Sequence, residues 1–133
     1  QRMLEVRSLD TAQQIEKYIN DNIAWDLSIE HLCAHFSISR AELYQLFHTN
    51  FNASVADYIR SKRIAMAEQL IRTTSMQISE IAANVGFFDY NYFSKVFHRK
   101  FGVSPREYRK RLEDNGTGQE KTAEQGKSNT KKA

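Results

Sequence analysis

Two stretches of the sequence can be laid over one another: SRAELYQLFHTNF, residues 39–51, and DYNYFSKVFHRKF, residues 89–101. At a shift of 50, Leu43 meets Phe93, Leu46 meets Val96, Phe47 meets Phe97, His48 meets His98 and Phe51 meets Phe101. The match runs on through Ser54 over Ser104 and Tyr58 over Tyr108. Upstream the best shift is 49, which sets Ile29 on Ile78, Leu32 on Ile81, Cys33 on Ala82, Ala34 on Ala83, Phe36 on Val85 and Ile38 on Phe87. The step from 49 to 50 puts one extra residue, near Phe88, into the second copy. Self-similarity at a fixed shift points to one supersecondary unit used twice.

Periods of three and four dominate the apolar pattern, and strand-like alternation is hard to find, so the chain reads as all-α. Helices are expected near 10–24, 29–36, 40–50, 55–73, 78–84, 90–100 and 105–112. Ser39 with Glu42, and Ser104 with Glu107, have capping-box spacing, and Pro105 suits a first helical position. Asp89 and Ser54 are candidate N-caps, because a short side-chain oxygen accepts from exposed backbone N–H groups. The expected organisation is a linker over 1–8, a first helix-turn-helix subdomain over 9–53, a linker helix over 54–74, a second subdomain over 75–112 and a tail over 113–133. The tail has no large apolar residue, so disorder is expected there.

Each copy pairs an apolar residue with a small one, Leu32-Cys33 and then Ile81-Ala82. Two helices crossing at a short turn leave room only for a small side chain at the contact. Four residues after the small one comes the turn, at Ser37 and at Gly86. Gly86 can take a positive φ without a Cβ penalty, whereas Ser37 does this less well. An apolar corner plug follows, Ile38 or Phe87. This spacing is the helix-turn-helix pattern, whose second helix enters the major groove of DNA.

Projected at 100° per residue, each second helix has two sides. Leu43, Leu46 and Phe47 cluster in the first, with Ala41, Tyr44, Gln45, His48 and Thr49 toward the other side. Phe93, Val96 and Phe97 cluster in the second, opposite Asn91, Ser94, Lys95, His98 and Arg99. Asn and Gln can bond adenine bidentately and Lys can donate to guanine, although any amphipathic helix has a polar face. The linker helix of about 19 residues would span roughly 28 Å, near the ~34 Å between successive major-groove faces. It carries Arg60, Lys62 and Arg63, which can serve phosphate contacts or ion pairs between the units. The aromatic run GFFDYNYFSKVF, residues 86–97, divides accordingly: Phe87, Phe93 and Phe97 to the core, Tyr90 and Tyr92 to the edge, and Phe88 to the turn without an assigned role.

Net charge is only +3 but is unevenly spread. Residues 1–50 hold four Lys and Arg against seven Asp and Glu, and residues 51–112 hold eleven against five. Such clustering suits a polyanionic partner, or else a solvated basic face. No apolar run approaches transmembrane length and no stretch reads as a signal peptide. One cysteine, Cys33, excludes an intrachain disulfide and fits a cytoplasmic location. Cys33 sits at a helix-crossing position, where burial makes thiols inert. His31 and His35 have metal-compatible spacing but no Cys, Asp or Glu pair beside them, so they read as surface histidines. Tyr18 and Trp25 are expected to cover the packing face of the first helix. No phosphate loop or catalytic triad is visible, so neither enzyme activity nor a cofactor is expected.

Beyond these patterns, RIAMAEQLI at residues 63–71 and ISEIAANVGFFDYNYFSKVFHRKFGVSPREYR at residues 78–109 resemble the DNA-binding domain of the AraC/XylS family of bacterial transcription regulators. The resemblance covers about residues 9–112. It implies seven helices, two helix-turn-helix subdomains joined by a long helix, and sequence-specific binding of promoter DNA, with activation as the expected outcome. It further implies RNA polymerase as a partner and an upstream sensing or dimerisation domain in the same polypeptide, which the opening Gln1 also suggests. The family's DNA-reading positions fall on Arg40, Ala41, Tyr44 and Gln45, and on Tyr90, Asn91 and Lys95. Ala41 departs in kind, since a methyl can touch thymine but donates nothing. The competing expectation is a helical interaction domain whose basic face docks an acidic protein.

Overall fold

Short polar side chains start most of the helices in the computed structural model, which describes residues 2–125. The helices are α1 (Arg2–Asp21), α2 (Ile29–Phe36), α3 (Arg40–Phe51), α4 (Val55–Thr73), α5 (Ile78–Asn84), α6 (Tyr90–Phe101) and α7 (Pro105–Gln125). Ser28, Ser39 and Ser54 each accept the backbone N–H three residues on, at 3.1 Å. The Glu42 carboxylate returns a bond from the Ser39 amide at 2.8 Å and closes a capping box. Asp89 caps α6 through the amides of Asn91 and Tyr92, and Ser104 accepts from the Glu107 amide ahead of α7. Each such cap stabilises its helix by about 1 kcal/mol.

The sequence repeat is also a structural one. Phe47, Phe51 and Tyr58 form a three-ring cluster, and so do Phe97, Phe101 and Tyr108. Each tyrosine then donates to a glutamate on the first helix of its unit: Tyr58 to Glu16 at 2.8 Å, and Tyr108 to Glu68 at 2.5 Å. Burial, and then the bond to Glu16, push the Tyr58 phenol above its usual range. The second helices end alike, on Asn52 at φ 52° and Gly102 at φ 82°.

Two hydrophobic clusters result. The first gathers Ile15, Ile19, Leu32, Leu43, Phe47, Val55 and Ile59, and the second Ile64, Ala67, Ile71, Ile81, Phe93, Val96 and Phe97 among others. Burying one such Leu, Ile or Phe side chain is worth about 1.5–3 kcal/mol. The helix α4 feeds both clusters, with Val55 and Ile59 in the first, Ile64, Ala67 and Ile71 in the second, and Met66 packed against both. It closes one unit and opens the next, so it is a shared core element and more than a spacer.

The boundaries depart from expectation at both ends. Residues 2–8, expected as a linker, belong to α1, and Ser8 is tied to α3 by a 2.9 Å bond from Asn50. Residues 113–125, expected to be disordered, continue α7; residues 126–133 and Gln1 lie outside the described residues. Extending a helix from a packed start needs no new nucleus, and Glu, Lys, Gln and Ala in that stretch favour it. Trp25 also departs. It lies in the turn after α1 with 70% of its surface exposed, and covers no packing face.

Candidate nucleic-acid interface

The two turns aim the second helices outward. In the first, Ser37 adopts the left-handed conformation (φ 54°, ψ 48°), and the Ile38 amide reaches back to the Cys33 carbonyl at 3.1 Å. In the second, the Phe87 amide bonds the Ala82 carbonyl at 2.8 Å, and the Gly86 amide bonds Ala83 at 3.0 Å, which is a Schellman ending. Phe87 plugs its corner at 6% exposure, whereas Ile38 is half-buried. The extra residue, Phe88, stands 82% exposed just before the N-cap of α6.

On α3, Leu43 and Phe47 are buried, and Arg40, Ala41, Tyr44, Gln45, His48 and Thr49 are all exposed. The Arg40 guanidinium is paired with Glu30 at 2.6 Å. The backbone amide of Glu30 itself, and then Arg40, hold that carboxyl below its usual range. Gln45 donates to the Thr49 hydroxyl at 2.9 Å, which leaves its amide oxygen as an acceptor. On α6, Phe93, Val96 and Phe97 are buried. Asn91, Lys95, His98 and Arg99 are exposed, and Ser94 is half-buried. Tyr90 is half-buried too, with its ring packed against the second core. Ser94, Lys95, His98 and Arg99 line one shallow hollow. The helix carries Lys95, His98, Arg99 and Lys100 but no Asp or Glu. Among the described residues, none of these side chains forms an ion pair.

A run of contacts along α4 joins the outward faces of α3 and α6. Tyr44, His48, Asn52, Ser54 and Asp57 line a hollow between α3 and the start of α4. Asp57 pairs with Arg60, and Arg60 donates to the Tyr92 hydroxyl on α6 at 3.3 Å. The cations of α4, whose roles the sequence left open, thus all meet partners inside the protein. Lys62 reaches Glu16 at 3.4 Å and lies 5.3 Å over the Tyr58 ring. Arg63 turns the other way and donates to the Ile23 and Trp25 carbonyls. Their spacing on one helix gave no signal that would separate these partners.

The other candidates stay structural in geometry. Tyr18 and His31 share a 2.6 Å hydrogen bond, and the His35 ring lies tilted against Tyr18 with ring centroids 4.1 Å apart. No group of three or more metal-ligating side chains occurs among the described residues. Cys33 is half-buried against the first core. No helix among the described residues is long and apolar enough to cross a membrane.

The helix-turn-helix domain family matches residues 32–111, which takes in both turns and both second helices. The HTH-type transcriptional activator RhaR of Cronobacter sakazakii is 38% identical over 100 residues, covering 75% of this chain and 35% of that protein. The match thus spans about a third of the length of the curated relatives. Among solved structures, a transcriptional regulator from Chromobacterium violaceum, of the AraC-type DNA-binding domain-containing proteins, superposes with a TM-score of 0.69 at 27% identity. That likeness covers 81% of this chain and 94% of the other. The DNA-binding domain of AdpA, solved in complex with a target DNA, shares the fold at a TM-score of 0.74 and 20% identity, over 78% of this chain and 94% of its own. Because the family match takes in both turns and the helices they aim, and the relatives and solved structures agree with it, the chain belongs to the AraC-type helix-turn-helix family of bacterial transcription regulators.

Proposed function

We propose that this domain binds double-stranded promoter DNA sequence-specifically, with α3 and α6 in successive major grooves, and so activates transcription in the bacterial cytoplasm. The observation that carries this reading is the continuous side formed by the α3 face, Asp57, Arg60, Tyr92 and the α6 face. Two exposed helix faces joined by one run of contacts suit one side of a duplex. The proposed base-reading set is Arg40, Ala41, Tyr44, Gln45, His48 and Thr49 in the first unit. In the second it is Tyr90, Asn91, Ser94, Lys95, His98 and Arg99. Support also comes from the AdpA neighbour, which was solved on its target DNA, and from the activator name of RhaR.

The two helices divide the work. The α3 face offers neutral hydrogen-bonding groups and a guanidinium already tied to Glu30. The α6 face offers Lys95 and Arg99, which pair with no carboxylate among the described residues, beside Asn91, so it supplies more of the phosphate attraction. Selection from random duplexes followed by footprinting tests the reading. A preferred site of about 16–20 base pairs in two boxes is expected, with affinity falling steeply as salt rises. Equal binding to every duplex and to other polyanions would instead favour docking of an acidic partner.

A further inference from the structure

We propose that Arg63 is a positioning residue that fixes the angle between the two helix-turn-helix units, and through it the spacing of the two DNA boxes the protein accepts. This rests on the two-box reading above. Three segments meet at its guanidinium. Nε donates to the Ile23 carbonyl at 3.0 Å and an Nη donates to the Trp25 carbonyl at 2.9 Å. Both carbonyls lie between α1 and α2, in the first unit. The third segment is the α5–α6 turn of the second unit. A Cβ placed on Gly86 would lie 2.6 Å from Arg63 Nε and 2.6 Å from the Ile23 oxygen. Only a glycine lets that turn lie so close against the joint.

The chemistry suits a lock. A planar fork that donates to two carbonyls two residues apart resists rotation, whereas a lysine ammonium is a single point of attachment. The Asp26 carboxylate of the same segment adds attraction to the guanidinium. Another side-chain bond from this helix, Arg60 to Tyr92 of the second unit, is exposed and 3.3 Å long. The first unit has no counterpart, because Ser37 is exposed. The leverage is large. A swing of about 10° on an arm of about 17 Å, half the separation of successive major grooves, moves a helix about 3 Å. That is nearly one base-pair step of about 3.4 Å.

The test compares wild type with Arg63→Met on duplexes whose two selected boxes are moved apart or together one base pair at a time, with thermal unfolding followed alongside. Wild type is expected to lose about tenfold in affinity or more at the first step away from the optimum. Arg63→Met is expected to flatten that profile to within about threefold, while base preference inside each box is kept. A variant that binds more weakly at every spacing yet keeps the sharp profile overturns the proposal. If Arg63→Met does not fold, Arg63→Lys takes its place, and a profile as sharp as wild type overturns the proposal equally. A wild type with no spacing optimum contradicts the two-box reading itself, and the proposal with it.

Discussion

The two units bend their backbones into the left-handed region at the same two places but fill those places differently. The first unit uses Ser37 and Asn52, and the second uses Gly86 and Gly102. At Gly102 the space beside the backbone is open, so only its φ of 82° favours glycine. At Gly86 conformation and crowding act together, since its φ is 100° and Arg63 and the Ile23 carbonyl crowd the place of a side chain. The lesson is one of position. The first turn faces solvent and tolerates a serine at some strain, whereas the second lies against the other unit and tolerates nothing beyond hydrogen.

The largest expected effects test whether the two units, despite this difference, fold as one body through α4. Phe47→Ala and Phe97→Ala each empty a fully buried ring site, and each should destabilise by about 3–5 kcal/mol. Because α4 contributes to both cores, either substitution should lower a single unfolding transition seen by calorimetry and by circular dichroism. Two separate transitions, with only one of them shifted, would break the shared-helix picture. Next in size is the contrast between the turns. Gly86→Ala should cost about 1–3 kcal/mol from backbone strain alone, with crowding against Arg63 added. Ser37→Gly should be near neutral or stabilising by up to about 1 kcal/mol, as relief of left-handed strain offsets lost chain entropy. Denaturant midpoints of the two variants decide this, and equal losses at both turns would contradict it.

The smallest effect sharpens the comparison between the two tyrosine–glutamate bonds. Arg72 beside Glu68, together with the Tyr108 hydroxyl, holds the Glu68 carboxyl below its usual range although partial burial opposes this. A carboxyl lowered in the folded state contributes stability above its unfolded pKa and loses it as pH falls through the lowered value. Wild type should therefore lose stability faster than Glu68→Gln as pH drops below about 4.5. Parallel stability profiles for the two proteins would remove Glu68 from acid denaturation.

Much of this was legible in the sequence because the information was local or repeated. Capping at Ser39, Ser54 and Asp89 depends on residues a turn away, and the structure has all three. Doubling the unit made Leu43 with Phe93, and Phe47 with Phe97, readable as core, and all four are fully buried. Long-range partners were not legible. Helical spacing could not say that Lys62 meets Glu16 while its neighbour Arg63 reaches the carbonyls of Ile23 and Trp25. The exposure of Trp25 is not legible, because a large aromatic ring after an amphipathic helix ordinarily reads as packing, and here the helix stops at Asp21. At Gly86 only the demand on φ is legible in the sequence, since the crowding comes from Arg63 and the Ile23 carbonyl, two positions well separated from it along the chain. Of the twelve proposed base-reading positions, the sequence could sort polar face from core. Tyr90, a position supplied by the family resemblance and not by the helical projection, has its ring resting on the second core.

One measurement bears most directly on the claim that each unit reads its own part of one site. Gln45→Ala and Lys95→Ala would be tested against a panel of duplexes carrying every single base change across the selected site. The expected result is that Gln45→Ala relaxes discrimination by about 1–3 kcal/mol in one box and Lys95→Ala does so in the other, each leaving its neighbour box unchanged. A uniform loss of affinity across the whole panel for both variants would contradict it.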